Sequence, residues 1–339
     1  MKTPFKSKEA HSLVREEHFI EALDPGIRLH LLAKRPKGLR RPEATNTLLF
    51  VHGQSTPAPV AFDLSLPGYS WVEFVARRGF DVFALSVRGY GLSTRPPELE
   101  EDFHGKSPAV RGITAVRDIK AAVEYICQKK EIEGLNLLGW SWGTTTTAAF
   151  TASNQARIRK LVLYAPFYAY DNPSKAALME DPTRPGRLSP DFGAWRWVTE
   201  KEQRERWDSS IPKGQHNLWR EEKAMQAWWR EQLQFDPEGQ HRRPKAVRVP
   251  NGARADGYDR ARNKPLYDAS QIQCPVLLIR GDHDQSSRDF EASGLFRALT
   301  KSRGKRYIII GDATHFLQYE RRREELFTEA QLFLETSSP

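Results

Sequence analysis

Short apolar runs alternate with stretches of helical spacing along most of this chain, and few folds accept that pattern. Thr47 to Val51 is a short, mainly apolar run, and Phe80 to Leu85, Leu135 to Leu138 and Leu161 to Tyr164 read as further strands. Such runs suit strands buried on both faces, as in a parallel sheet. Between them, Ser70-Trp71-Val72-Glu73 has the form of a capping box and predicts a helix that stops at Gly79. Thr114 to Lys130 places Ile119, Val123 and Ile126 on one helical face, and Thr144 to Ala152 can form another helix. The alternation returns with a strand at Val276 to Ile279, a helix at Arg288 to Leu299, a strand at Arg306 to Ile310 and a helix at Arg321 to Leu334. Upstream, His18 to Leu23 and Ile27 to Ala33 flank Asp24-Pro25-Gly26 and read as strand, turn, strand. The expectation is an α/β fold with a mainly parallel sheet covered on both faces.

From about Asp171 to Gln271 no strand is legible. That block holds Pro-rich turns, charge pairs and six of the nine Trp: Trp195, Trp197, Trp207, Trp219, Trp228 and Trp229. It reads as a helical insertion. The expected division is a core of residues 1–170 and 272–339, with 171–271 as a cap inserted after the sixth core strand.

Three residue groups stand at the ends of predicted strands. Gly139-Trp140-Ser141-Trp142-Gly143 falls between a strand and a helix. A serine on so tight a turn is lifted above the sheet edge, and glycines two residues either side let neighbouring chains approach it. Gly281-Asp282-His283-Asp284 and Gly311-Asp312-Ala313-Thr314-His315 follow later strands. A nucleophilic serine needs a base, and the base needs an orienting carboxylate. The order Ser, Asp, His supplies all three along the edge where open α/β sheets build their sites. For the oxyanion, backbone N–H groups are expected from Trp142 and from Gln54, in the His52-Gly53-Gln54 loop.

These motifs, with Phe50-Val51-His52-Gly53, Arg88-Gly89-Tyr90-Gly91-Leu92-Ser93 and His315-Phe316 through Glu320, resemble the α/β-hydrolase family. The resemblance covers about residues 45–170 and 272–335. It implies Ser141 as nucleophile, His315 as base and Asp284 as acid. Asp284 is preferred over Asp282 because the family acid stands three residues beyond the glycine that ends the strand; Asp171 is an outside alternative. Two departures stand out. Ser86 replaces an Asp common in the family, and no HGGG or HGGPG follows the third strand, which argues against hormone-sensitive-lipase-like and proline-iminopeptidase-like enzymes. Serine at position 141 argues against dehalogenases and epoxide hydrolases, which need Asp there.

The expected activity is hydrolysis of a carboxylic ester or lactone of a bulky, mainly apolar small molecule through an acyl-enzyme. Acyl transfer, amide or C–C bond hydrolysis use the same triad, and a non-catalytic small-molecule receptor is a further alternative. Trp140, Trp142, Trp228 and Trp229 are the expected pocket walls. No cofactor and no metal is expected: His52 reads as a loop residue, and the triad accounts for the Asp and His groups without a cation. The net charge of +9 comes from 52 basic and 43 acidic residues spread along the chain. Short runs such as Arg40-Arg41, Arg242-Arg243 and Arg321-Arg322-Arg323 are too sparse for a nucleic-acid partner. No run approaches the roughly 20 apolar residues of a membrane span. Met1 to Val14 has no apolar core of a signal peptide, and Cys127 and Cys274 are far apart, so a reducing, cytoplasmic setting is expected.

Overall fold

The computed structural model describes residues 12–39 and 41–336. Arg40 and most of the Met1–Val14 stretch lie outside the described residues. Twelve strands follow in chain order: β1 (Leu13–Glu21), β2 (Arg28–Pro36), β3 (Thr47–Val51), β4 (Asp81–Ser86), β5 (Leu135–Trp140), β6 (Ile158–Tyr164), β7 (Glu180–Asp181), β8 (Arg184–Leu188), β9 (Trp195–Thr199), β10 (Ala246–Pro250), β11 (Val276–Gly281) and β12 (Lys305–Ile310). Eight of them form one sheet in the order β1-β2-β4-β3-β5-β6-β11-β12. β2 pairs antiparallel with β1 and with β4; the remaining pairs are parallel.

The continuous apolar runs explain why the sheet needs two covers. Side chains alternate between faces along a strand. In β3, Leu49 and Val51 join Leu137 and Leu163 on one face, while Leu48 and Phe50 join Leu138 and Val162 on the other. Helices Gly112–Lys130 and Trp142–Ser153 cover the first face. Helices Trp71–Ala76 and Arg323–Glu335 cover the second. Each fully buried Leu or Val contributes about 1.5–3 kcal/mol, and a one-residue slip would exchange the two faces entirely. The register is therefore tightly set. Ser70 caps the Trp71–Ala76 helix as its sequence suggests, its side chain accepting from the Glu73 N–H.

The chain leaves β3 for β4 on one side and comes back to β5 on the other. The loops after β3 and β5 therefore lie side by side, at the crevice where doubly wound sheets open.

The stretch between β6 and β11 differs from its sequence reading. It contains helices, among them Glu200–Asp208, Glu222–Gln234 and Gly252–Ala261, but also four strands. β7 pairs with β8, and β9 with β10. Trp195-Arg196-Trp197-Val198-Thr199 has the β-branched and aromatic content of a strand. Its partner Ala246–Pro250 is far away in sequence, so no local hairpin signal reveals the pair.

Candidate active site

The nucleophile turn is built by close backbone approach. Ser141 has φ 58° and ψ −123°, and its N–H donates to the Tyr164 carbonyl at 2.9 Å. A Cβ on Gly143 would stand 2.4 Å from the Val51 oxygen, and one on Gly139 would stand 2.4 Å from the Gly143 oxygen. Only glycine fits at either position. The following helix starts at Trp142, two residues before the expected Thr144. Trp142 therefore occupies the first helical position, whose N–H has no partner within the helix. That free donor stands beside Ser141.

The serine, histidine and aspartate lie within hydrogen-bond reach of one another. The Ser141 hydroxyl is 2.8 Å from His315 Nε2. His315 Nδ1 is 2.8 Å from Asp284 Oδ2 and 3.0 Å from Oδ1. Asp284 Oδ1 also accepts from the Ser286 and Ser287 N–H groups, at 2.8 and 2.7 Å. These contacts fix which carboxylate oxygen faces the imidazole. All three residues are buried. Asp282 is exposed and takes only the Ala313 N–H, at 3.2 Å. Asp171 is exposed and bridges to Arg262, away from the histidine. His283 is exposed, its ring edge-on to Trp219. Among the described residues, no group of three or more His, Cys, Asp or Glu could hold a metal ion.

The loop after β3 is clamped around Gln54. His52 is fully buried; its Nε2 accepts from the Val87 N–H at 3.2 Å. Nδ1 must then carry the proton, and it donates to the Gly53 carbonyl at 2.6 Å. Burial draws the His52 imidazole down to about 4, so it stays neutral at pH 7. The carbonyl it holds belongs to the same peptide as the Gln54 N–H, so the ring sets the direction of that donor. On the other side, the Tyr90 hydroxyl donates to the Gln54 carbonyl at 2.6 Å. The Tyr90 N–H donates to the Val87 carbonyl at 3.1 Å, and in the same turn Arg88 pairs with Asp118 and Asp24. No local signal in the sequence separates His52 from an ordinary loop residue or gives Tyr90 a role, although Tyr90 sits in the Arg-Gly-Tyr-Gly motif.

The tryptophans divide. Trp142 is nearly buried, and its indole N–H donates to Asp256 at 2.8 Å. It lines a cavity of about 210 Å³ with Phe167, Tyr168, Arg260 and Tyr267. Trp140 lies behind the histidine instead, donating to the His315 carbonyl at 3.1 Å. Trp228 has no accessible surface and packs against Trp207, Phe316 and Tyr319, where a pocket wall was expected. Trp229 packs among Val198, Leu233, Val247 and Val249. On a helix two successive side chains diverge, and here both directions lead into packed protein.

Two buried carboxyls support the histidine from behind. Glu320 accepts from the Thr314 N–H at 3.0 Å, the Thr314 hydroxyl at 2.5 Å and the Trp207 indole at 2.8 Å, holding the turn that carries His315. Burial pushes Glu320 up to about 7 against those donors. Glu291 is likewise raised to about 7 by burial, although Arg260 stands 3.1 Å away. Arg260 covers the Phe167 ring at 3.9 Å, and that ring stacks on His315.

A raised carboxyl binds its proton more tightly in the folded state. The Glu291 contribution is therefore fully present below about pH 4.5 and is lost as the pH rises towards 7. The expected change is on the order of 3 kcal/mol. Comparing melting of the native protein with Glu291→Gln from pH 5 to 8 should show the variant gaining relative stability as pH rises. A difference that stays flat contradicts this assignment.

The sequence profile of the alpha/beta hydrolase fold family matches residues 46–322. The chain belongs to the alpha/beta hydrolase fold family. No curated protein sequence matches this hydrolase-fold chain as a relative. Solved structures resemble it at low identity. A mutant of potato epoxide hydrolase superposes with a TM-score of 0.62 at 17% identity, covering 95% of this chain and 99% of that one. An E-2-(acetamidomethylene)succinate hydrolase gives 0.61 at 16%, covering 95% and 100%. A thermophilic esterase from Thermogutta terrifontis gives 0.57 at 16%, covering 94% and 98%. Likenesses at this identity speak for the fold. Among the described residues, no helix of this hydrolase-fold chain is long and apolar enough to cross a membrane.

Proposed function

We propose that the chain is a serine-dependent hydrolase of carboxylic esters or lactones of a bulky, mainly apolar small molecule. The observation that carries this reading is the unbroken hydrogen-bonded chain from Ser141 through His315 to Asp284. In this mechanism Ser141 Oγ bonds to the carbonyl carbon while its proton passes to His315 Nε2. The carbonyl oxygen, now negative, accepts from the Trp142 and Gln54 N–H groups. Asp284 holds the imidazolium that forms. The C–O bond to the alcohol then breaks, and the alcohol leaves with the proton from His315. Water attacks the acyl-enzyme, gives its proton to His315 and releases the acid; the proton returns to Ser141.

Residues 171–271 act in this reading as a cap over the core. The cavity beside Trp142 and Phe167, which Arg111, Asp256, Asp259 and Arg260 also line, is the space this reading gives to part of the substrate. Cys127 and Cys274 are both buried and unpaired, which supports a cytoplasmic setting.

The test combines a fluorophosphonate probe with a panel of esters and lactones. The expected result is an adduct on the peptide containing Ser141, with release of both acid and alcohol from at least one panel member. Native protein that neither labels nor cleaves any of them overturns the proposal.

A further inference from the structure

Among the described residues, the buried arginines pair with carboxylates, except Arg280, which donates to the Ser287 and Asp284 carbonyls; two half-buried arginines near the active site have no carboxylate pairing. Arg88 pairs with Asp118, Arg220 with Asp208 and Glu222, and Arg248 with Glu238. Among the described residues, Arg196 and Arg206 have no acidic partner within salt-bridge distance. Removing a guanidinium from water without a counter-charge is costly. Such a charge fits a place where an anion arrives from outside.

Both side chains converge on the catalytic loops. Arg206 lies on the Glu200–Asp208 helix, with one guanidinium nitrogen 3.4 Å from the Ser55 hydroxyl. Its guanidinium carbon is 5.4 Å from the centre of the Phe316 ring. Ser55 follows Gln54, and Phe316 follows His315, so Arg206 spans the gap between the proposed oxyanion loop and the base. Arg196 lies on β9, where alternation sends Trp195 and Trp197 to one face and Arg196 with Val198 to the other. Trp195 and Trp197 meet Arg248. Arg196 instead donates to the neutral Asn251 amide oxygen at 2.7 Å, and its charge bears on Tyr90, the residue that holds Gln54.

The two arginines retain some accessible surface although protein encloses them. Burial, reinforced by the nearby Arg254 charge, draws Arg196 down to about 10, still protonated at neutral pH. Burial lowers Arg206 as well, opposed by the Asp284 carboxylate. Both charges are thus preserved with no carboxylate within salt-bridge distance to pair with them.

We propose that Arg196 and Arg206 form an anion subsite above Ser141, and that the substrate is an ester bearing a free carboxylate on its acyl part. Planar guanidiniums match carboxylate oxygens in paired hydrogen bonds. Ser55 adjoins the residue whose N–H would take the carbonyl oxygen. A group held by Arg206 therefore belongs to the part that stays attached to that carbonyl after the alcohol leaves. The inference rests on the esterase reading above and adds the substrate's charge to it.

The test compares mono-4-nitrophenyl adipate with its methyl ester, two substrates sharing leaving group and chain length. Native protein should favour the free acid at least tenfold in kcat/KM, and added salt should shrink that preference. Arg196→Gln and Arg206→Gln should each lower the preference at least fivefold, while Arg206→Lys, which keeps the charge, retains part of it. Circular dichroism and melting check that the variants fold. A native preference for the methyl ester overturns the proposal, as does an unchanged ratio in both folded Gln variants. If neither ester is cleaved, the esterase reading is what fails, and calorimetric titration with adipate then decides the subsite. Binding that disappears in the double Gln variant upholds it; no binding by native protein overturns it.

Discussion

Replacing Ser141 with alanine is expected to lower kcat for ester cleavage by roughly four to six orders of magnitude, the usual cost of removing a triad nucleophile. The surrounding geometry makes the expectation specific. The hydroxyl is 2.8 Å from His315 Nε2, and Trp142 offers a free N–H beside it. In the variant His315 and both proposed oxyanion donors remain, so residual activity reports what they achieve without a nucleophile. A variant that keeps more than a hundredth of native kcat, with contamination excluded, would falsify the role of Ser141.

A companion measurement separates chemistry from folding. Ser141 holds φ 58°, a region that L-residues occupy only under strain. Such strain costs about 1–3 kcal/mol. Alanine keeps that cost and glycine releases it. Ser141→Gly should therefore be about 1 kcal/mol more stable than Ser141→Ala in urea unfolding, after the entropy that glycine loses on folding. Both should be equally inactive. Equal stability would mean that the turn is not strained.

Asp284→Asn is expected to cost about 10⁴-fold in kcat/KM, and the hydrogen bonds say why. Asp284 Oδ1 is held by the Ser286 and Ser287 N–H groups, while Oδ2 is the oxygen nearer His315 Nδ1. An asparagine in this place keeps its carbonyl oxygen towards the two backbone donors. Its NH₂ then faces His315 Nδ1, which has to accept instead of donate. The imidazole proton moves to Nε2, and Nε2 can no longer accept from Ser141. Asp282→Asn changes only an exposed side chain that meets a backbone N–H and, at 3.9 Å, the exposed His283 ring. It should stay within about twofold of native activity, since surface changes away from such features are small. Rates for both variants across pH 6–9 check this, and the assignment is reversed if Asp282→Asn is the inactive one.

How much of the protein was legible varies with the range of the cause. The Thr47–Val51 and Val276–Gly281 strands follow from the apolar runs Leu48 to Val51 and Val276 to Ile279, because a strand buried on both faces is mostly apolar. Ser141, Asp284 and His315 could be picked out because each follows a strand end with its own glycine. By contrast, β9 and β10 escaped notice because their partners are about fifty residues apart. Trp228 and Trp229 gave no sign of which tryptophan would meet substrate. Both are large and apolar, and only packing against Phe316 or Val249 decided that each is enclosed. Nor does any local signal set Arg206 apart from other arginines on polar helices; its lack of a carboxylate partner is a property of what the fold brings near it.

By itself the sequence determined the alternating architecture, the face each strand residue takes and the three chemical groups at the strand ends. These depend on periodicity and on steric demands within a few residues. Only the tertiary structure decided which carboxylate meets His315, how His52 and Tyr90 aim the Gln54 peptide, and which arginines remain without a counter-charge. Distances, burial and tautomers at those positions are set by residues from remote parts of the chain, and only the folded chain brings them together.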